Sequence, residues 1–215
     1  PVEYPMTLIR QTSVAESAKL DFANGIRAMM RQDPDAILVG EIRDRDTAEM
    51  AFRAAMTGHQ VYSTLHTNSA VGAIPRLLDI GIVPDIMSGN IIGIVAQRLV
   101  RRLCRTCRQS YDPDVKERRL VSLTPAEPAT LYRAVGCEQC DYQGYRGRQS
   151  ILEILKIDGG LDELIARRAT AREILTAARA KGFRTLADDG VRMVRGGHTS
   201  LDELMRVVDL TDRMA

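Results

Sequence analysis

Long apolar runs, a signal peptide and a strong net charge are all missing from this sequence. The longest apolar stretch, NIIGIVAQRLV at residues 90–100, contains Gln97 and Arg98 and falls short of the roughly 20 residues that span a bilayer. The N-terminal residues PVEYPMTLIR lack the basic end, apolar middle and small-residue cleavage site of a signal peptide. These absences predict a cytoplasmic protein without a transmembrane segment.

Scarce aromatic residues and a near-neutral charge argue against a nucleic-acid-binding protein. The 215 residues include six tyrosines, three phenylalanines and no tryptophan, and the formal net charge is +2. Base stacking needs aromatic side chains, and phosphate binding needs positive charge. One basic cluster is present, made of Arg98, Arg101, Arg102, Arg105 and Arg108. It fits phosphates, anionic lipid or the acids of a neighbouring subunit, and it equally fits a solvated basic face.

Hydrophobic periodicity predicts alternating helices and strands in the first 80 or so residues. Helices are predicted at 17–32, at 47–57 with Asp46 as its cap, and at 68–79 with Asn68 as its cap. Strands are predicted at 36–40, where AILVG is typical of burial on both faces, and at 60–66. Strands alternating with crossover helices indicate an α/β fold with parallel strands.

The sequence after the α/β segment indicates two further parts. Residues after 110 are polar and proline-rich without sustained periodicity, which predicts a loop-rich insertion outside the core. A strand at 149–157 follows, and then helices with capping boxes at Thr170 with Glu173 and at Ser200 with Glu203. We therefore predict three parts: an α/β core at 1–103, an insertion at 104–144, and a strand and helical subdomain at 145–215.

All four cysteines lie in two C-x-x-C pairs, and they predict a metal centre. CRTC supplies Cys104 and Cys107, CEQC supplies Cys137 and Cys140, and 29 residues separate the pairs. Two such turns complete a tetrahedral sulfur shell suited to structural Zn²⁺. Disulfides are the alternative, but the predicted cytoplasmic setting argues against them, and a redox site needs only one pair.

An acid and two histidines flank the predicted strands. Glu41 follows the first strand, at the end where parallel strands open into a ligand crevice, so it could hold Mg²⁺ or a water, although a surface salt bridge is also typical. His59 precedes the second strand and His66 follows it, which separates them by roughly 20 Å if the chain is fully extended. His66 therefore shares the Glu41 end and could sense a phosphate, or it is a hydrogen-bonded core histidine.

A phosphate-binding loop, G-x-x-x-x-G-K-[ST], is absent, because no glycine here is followed by lysine. Nevertheless, the motifs resemble those of the secretion ATPases of type II secretion and type IV pilus assembly, which are hexameric RecA-like motors. The resemblance rests on PVEY, on residues 20–68, on AQRLVRRLC, on the two C-x-x-C pairs, on GYRGRQSILEIL and on DDGVRMVRGGHTSLDELMRVV. These segments span nearly the whole chain.

The resemblance implies roles for individual residues. It implies that PVEY ends an acidic box in which Glu3 orients the attacking water, and that the missing Walker A loop lies upstream. Glu41 then corresponds to the Walker B acid that acts on Mg²⁺. TGHQVYSTLHTN corresponds to the histidine box, with His66 as the phosphate sensor and His59 as a second catalytic histidine. Arg27 and Arg31 match positions linked to electrostatics between subunits at the nucleotide.

The resemblance also implies a function for the whole protein. The chain is expected to be the C-terminal part of a RecA-like P-loop NTPase core, inactive alone, with ATP, Mg²⁺ and structural Zn²⁺ as cofactors. A homo-hexamer at the cytoplasmic face of the inner membrane, bound to secretion or pilus platform proteins, is implied. The tetracysteine insertion favours extension motors over retraction motors, with secretion slightly ahead of pilus assembly. A RecA-like nucleic-acid motor and a non-catalytic zinc adaptor are the alternatives.

Overall fold

The chain forms two compact units in a computed structural model that describes residue 2, residues 4–15 and residues 20–213, with only the backbone at 212. Unit 1 comprises Pro1–Ile94 and Lys156–Ala177, and unit 2 comprises Val95–Leu155 and Ala178–Ala215. Glu3 lies outside the described residues. No helix in the described ranges is long and apolar enough to cross a membrane.

Unit 1 is built on a small parallel sheet. Its elements are α1 (Phe22–Met29), β1 (Ala36–Val39), α2 (Arg45–Met56), β2 (Gln60–Ser63), α3 (Ala73–Ile80), α4 (Pro84–Met87), α6 (Gly159–Ala166) and the start of α7 (Ala171–Ala180). Strand β1 pairs in parallel with β2, from Ala36 opposite Gln60 to Val39 opposite Ser63. This pairing confirms the predicted parallel α/β arrangement.

The prediction that β1 is buried on both faces was wrong. Ile37 and Val39 are buried, whereas Leu38 is 71% exposed and its cross-strand partner Tyr62 is 56% exposed. Side chains alternate across a strand, so the two sets lie on opposite faces of the sheet. Within this chain, one face of the sheet is covered and the other is open.

Three predicted boundaries in unit 1 also change. Helix α2 begins at Arg45 because the Asp44 carboxylate accepts a hydrogen bond from the Thr47 amide at 2.8 Å, so Asp44 is the cap and not Asp46. Strand β2 ends at Ser63, three residues before His66. Helix α3 begins only at Ala73, because Ser69 turns the chain first by accepting a hydrogen bond from the Gly72 amide at 3.0 Å.

Helix α1 is shorter than its periodicity indicated. It starts after Asp21, whose carboxylate accepts from the Asn24 amide at 2.7 Å, and its last residue is Met29. Asp33 has a φ of 52°, outside helical geometry, just before Pro34. The predicted residues 17–19 lie outside the described part of the chain.

Unit 2 holds most of a long strand pair and all of a short one. Strand β3 (Gly93–Leu103) pairs with β6 (Tyr145–Lys156), and all of this pair except residues 93, 94 and 156 lies in unit 2. Strand β4 (Gln109–Tyr111) pairs antiparallel with β5 (Leu131–Arg133). Helices α5 (Val115–Leu120), α8 (Leu186–Arg195) and α9 (Leu201–Val207) complete the unit. The apolar run at 90–100, to which no element was assigned, supplies most of β3.

The predicted loop-rich insertion has a small core of its own. Leu120, Val121 and Leu131 are almost fully buried. Arg118 holds the loop after α5 by donating to the carbonyl oxygens of Pro113 at 3.0 Å and Glu127 at 2.7 Å. The prolines in this segment therefore mark turns between short elements and not an unstructured loop.

The arginine cluster is partly used inside unit 2. Arg101 donates to the buried carboxylate of Glu203 and stacks on the Tyr145 ring at 4.2 Å. Arg108 stacks on Tyr132 at 4.4 Å and also donates to the Gly197 carbonyl oxygen. These two side chains stabilise the unit, which weakens the view of the cluster as a surface for phosphates.

Candidate nucleotide site and candidate metal centre

The carboxyl ends of β1 and β2 bring Glu41 and His66 into contact. His66 Nε2 lies 3.2 Å from Glu41 Oε2, and Arg43 Nε donates to the same oxygen at 2.6 Å. The Glu41 side chain is 23% exposed, whereas those of His66 and Arg43 are 77% and 70% exposed. An acid and an imidazole thus meet at the crevice end of a parallel pair, where ligands of α/β proteins bind.

Glu41 is held as a carboxylate. The hydrogen bond from Arg43 is the main cause that lowers its pKa, burial opposes it, and the contact with His66 lowers the pKa further. A carboxylate that is ionised at neutral pH suits a group that must act on Mg²⁺ or on water.

The loops that carry this pair are tied together by Thr64. The Thr64 hydroxyl donates to the Gly40 carbonyl oxygen at 2.6 Å, and the Thr64 carbonyl oxygen accepts from the Ile42 amide at 2.9 Å. Glu41 lies between these two bonded residues. The sequence places Thr64 near the pair but does not reveal this role.

His59 lies elsewhere. Its Nδ1 is 3.1 Å from the Ala54 carbonyl oxygen and 3.2 Å from the Thr57 hydroxyl, at the end of α2. These contacts are typical of a histidine that closes a helix end. The structure therefore brings only one of the two predicted histidines to Glu41.

Arg27 lines a polar groove between α1 and α2. The groove has a volume of about 200 Å³ and is lined by Asp21, Ala23, Asn24, Arg27, Asp46, Glu49, Met50 and Arg53. Arg27 Nη1 donates to Asn24 Oδ1 at 2.7 Å. Arg31 is exposed and lies two residues beyond the end of α1, outside the groove lining. Neither arginine contacts Glu41 in the described part of the chain.

The four cysteines converge on one point in unit 2. Their Sγ atoms all lie within 4.8 Å of one another, with Cys104 to Cys137 at 3.9 Å and Cys107 to Cys140 at 3.8 Å. Cys104 directly follows β3, Cys137 immediately precedes a short 3₁₀ turn at Glu138–Cys140, and Cys140 is the last residue of that turn. All four are free thiols, and the separations exceed any disulfide length.

Backbone amides point at these sulfurs. The Gly136 amide donates to Cys107 Sγ at 3.3 Å, and the amides of Cys137 and Gly144 donate to Cys140 Sγ at 3.2 Å each. Amide donors stabilise thiolates, which are the form that binds metal. The donor set and its geometry fit a structural Zn²⁺.

The thiols also perturb one another. A hydrogen bond from the Thr106 amide lowers the pKa of Cys104 to about 7, whereas burial raises the pKa of Cys137 to about 11. Four sulfurs this close cannot all ionise without a compensating cation. Zn²⁺ supplies that charge when bound, and with four sulfur ligands it has no open position for catalysis.

Two glycines shape the centre. Gly136 has a φ of 124°, and a Cβ there would lie 2.6 Å from the Tyr142 carbonyl oxygen. Gly144 has a φ of 76°, and its Cβ would lie 2.6 Å from the Ala134 Cβ. Sequence reasoning missed both residues, although each is a glycine within four residues of a cysteine ligand, a position where tight turns are needed.

Comparisons with known proteins find relatives that match over nearly the whole chain. Residues 1–206 match the family described as Type II/IV secretion system protein. Over 207 residues, the chain is 48% identical to the type II secretion system protein E of Pseudomonas aeruginosa and to the type II secretion system ATPase E of Vibrio cholerae. Each alignment covers 96% of this chain and 41% of the relative. The type IV pilus assembly ATPase PilB of Thermus thermophilus is 46% identical, covering 95% of this chain and 23% of that protein.

Solved structures give the same fold. The pilus retraction motor PilT, determined with bound ADP, superposes with a TM-score of 0.61 at 26% identity, covering 87% of this chain and 43% of PilT. The Legionella pneumophila ATPase DotB superposes with a TM-score of 0.58 at 22% identity, over 87% of this chain and 42% of DotB, which supports the fold alone. The chain has the α/β fold of these ATPases, with a four-cysteine cluster and a helical C-terminal region.

Proposed function

Because the chain belongs to the type II/IV secretion system protein family, we propose that it is the C-terminal part of an ATPase motor for secretion or pilus assembly. The observation that carries the proposal is the contact between Glu41 and His66 at the crevice end of the parallel strands. The names of the relatives, secretion and pilus assembly ATPases, support it. They favour it over a nucleic-acid motor.

In this proposal, the chain supplies part of an ATP site. Glu41 acts as the acid that holds Mg²⁺ or its water, and His66 contacts the terminal phosphate. Mg²⁺, if held by Glu41, would neutralise the negative charge that develops on the phosphate. Glu3 orients the attacking water, and Arg27 and Arg31 provide positive charge at a nucleotide shared between subunits. His59, which contacts Thr57 and the Ala54 carbonyl oxygen, holds the turn between α2 and β2 and so helps to position the strand that leads to His66.

The rest of the site is proposed to come from outside this chain. The sequence has no G-x-x-x-x-G-K-[ST] motif, and the chain spans about two fifths of the length of the type II relatives. The chain alone is then inactive. The predicted three-part division stays a prediction, in which the 104–144 insertion is organised by a structural Zn²⁺ on its four cysteines.

The proposed working state is a homo-hexamer in the cytoplasm that contacts platform proteins at the inner membrane. Type II secretion is proposed ahead of pilus assembly, because the two matches at 48% identity are both type II proteins. The four-cysteine insertion favours an extension motor over a retraction motor.

The test is Mg²⁺-dependent ATP hydrolysis by the full-length protein, with Glu41→Gln as the site variant. We expect Glu41→Gln to lower kcat by roughly a hundredfold or more while ATP affinity is retained. Glu163→Gln is the matched control, since Glu163 is an exposed acid on α6 in the same unit. Equal turnover in the wild type and Glu41→Gln, or no turnover in wild-type hexamers, would contradict the proposal, and the latter would favour the zinc adaptor.

A further inference from the structure

Thr64 makes two hydrogen bonds that bracket Glu41. Its hydroxyl donates to the Gly40 carbonyl oxygen at 2.6 Å, and its own carbonyl oxygen accepts from the Ile42 amide at 2.9 Å. The residues before and after Glu41 are therefore both bonded to one residue on the neighbouring chain segment. A side-chain bond of this kind adds to what a strand ladder alone would supply.

These bonds lie beyond the sheet. Strand β1 ends at Val39 and β2 ends at Ser63, so the segments that carry Glu41 and His66 have left the ladder. Loops beyond strand ends are free to diverge unless side chains hold them. Thr64 is the first residue after β2, and His66 follows two residues later.

Gly40, which accepts the Thr64 hydroxyl, makes a second contact. Both Thr64 and Gly40 are exposed. Gly40 also lies against the Phe22 ring, since a Cβ there would be 3.4 Å from Phe22 Cε1. The backbone at Gly40 is thus in contact with both an aromatic ring of α1 and the Thr64 hydroxyl.

We propose that Thr64 is a positioning residue of the nucleotide site, whose hydroxyl fixes the backbone around Glu41 so that the carboxylate faces His66 and the bound nucleotide. This inference rests on the proposed ATPase function. Thr64 acts through Glu41 and does not itself touch the reacting atoms. Displacement of a reacting group by about 1 Å can lower a rate by a hundredfold, so the loss of one bond here has a measurable effect.

Three variants of the full-length protein test the role of the hydroxyl. Thr64→Val keeps the shape and removes the hydroxyl, Thr64→Ser keeps the hydroxyl, and Ser63→Ala removes the neighbouring exposed hydroxyl of β2 as a control. We expect kcat to fall roughly tenfold or more in Thr64→Val and to stay within about twofold of the wild type in the other two. The affinity for a fluorescent ATP analogue should change by less than about twofold in all three.

Hydrogen exchange provides a readout that does not depend on turnover. Peptides that contain Gly40 and Ile42 should exchange faster in Thr64→Val than in the wild type, whereas peptides from α2 should not change. A slow Thr64→Ser, or a Thr64→Val enzyme with normal kcat, would overturn the inference. If the wild type turns over and Glu41→Gln does not, either of these results overturns only the role of Thr64 and leaves the proposed function intact. A wild type without turnover overturns both.

Discussion

The two candidate sites differ in how much of their environment this chain provides. The cysteine centre takes all four sulfurs from the chain, half-buried or buried, and backbone amides already donate to the sulfurs of Cys104, Cys107 and Cys140. At the other site, Glu41 meets two side chains that are each at least 70% exposed. A structural site is built to be complete, whereas a site that must admit and release a ligand keeps its groups accessible.

The largest effect is expected from a substitution in the cysteine centre. Cys104→Ser removes one of four sulfur ligands, and we expect bound zinc to fall from one per chain to nearly none, because the remaining three sulfurs leave the charge and geometry unsatisfied. Metal analysis of the purified protein measures this. Hydrogen exchange should rise around Cys137 and Cys140 but not around α1 and α2. Full zinc occupancy in the variant would contradict the assignment.

A smaller effect is expected at the buried carboxylate of unit 2. Glu203 is 1% exposed and accepts from the Arg101 amide at 3.0 Å and from the Arg101 and Arg206 guanidinium groups. Glu203→Gln removes the counter-ion of two arginines whose side chains are 43% and 59% exposed. We expect the free energy of unfolding to fall by about 2 kcal/mol, through the weakened hydrogen bonds to the buried side chain. Urea unfolding monitored by tyrosine fluorescence measures it, and Glu163→Gln is the exposed control.

The same residue predicts a pH dependence. Burial raises the pKa of Glu203, but the hydrogen bonds from Arg206 and Arg101 outweigh burial and lower it to about 2. A lowered pKa gives stability that is present above the ordinary value near 4.5 and is lost as the pH falls towards 2. In Glu203→Gln, this part of the acid dependence should be absent. An unchanged acid dependence would argue against the buried ion pair.

The smallest effects on stability are expected from replacing one glycine in each unit. A Cβ on Gly190 in α8 would lie 2.2 Å from Leu204 Cδ1, whereas a Cβ on Gly25 in α1 would meet nothing within 4 Å. We expect Gly190→Ala to destabilise by about 2 kcal/mol through overpacking, and Gly25→Ala to stabilise by about 0.7 kcal/mol through helix propensity. Thermal unfolding of both variants measures the difference. The same sign for both would contradict the packing seen between α8 and α9.

Motif spacing and strand order predicted the main groups of both sites. The spacing of Cys104, Cys107, Cys137 and Cys140 indicated a metal site, and the structure brings the four together. The Thr170 and Glu173 capping box is present, with the Thr170 amide donating to the Glu173 carboxylate at 2.8 Å. The contact between Glu41 and His66 followed from the rule that parallel strands end at the same edge.

Distant contacts were not predictable in this way. Ser200 does cap α9, as its capping-box pattern indicated, but the Glu203 carboxylate binds Arg101 at a separation of 102 residues.

Two further features depend on geometry that residue type does not specify. Asp44 and Asp46 are equally good caps by residue type, and only the backbone geometry selects Asp44. The exposure of Leu38 depends on which faces of the sheet this chain covers, and a short apolar run does not encode that.

The outer edge of β3 has a consequence for self-association. Next to the cysteines, the Arg101 amide bonds to Glu203, the Arg101 carbonyl oxygen accepts from Thr199, and the Leu103 amide bonds to the His198 carbonyl oxygen. The backbone groups that would template another strand are thus already occupied over residues 101–103. Strand addition, the usual route by which exposed β-edges nucleate aggregates, is blocked at this end of the sheet by residues 198–203, which comprise a short loop and the start of α9.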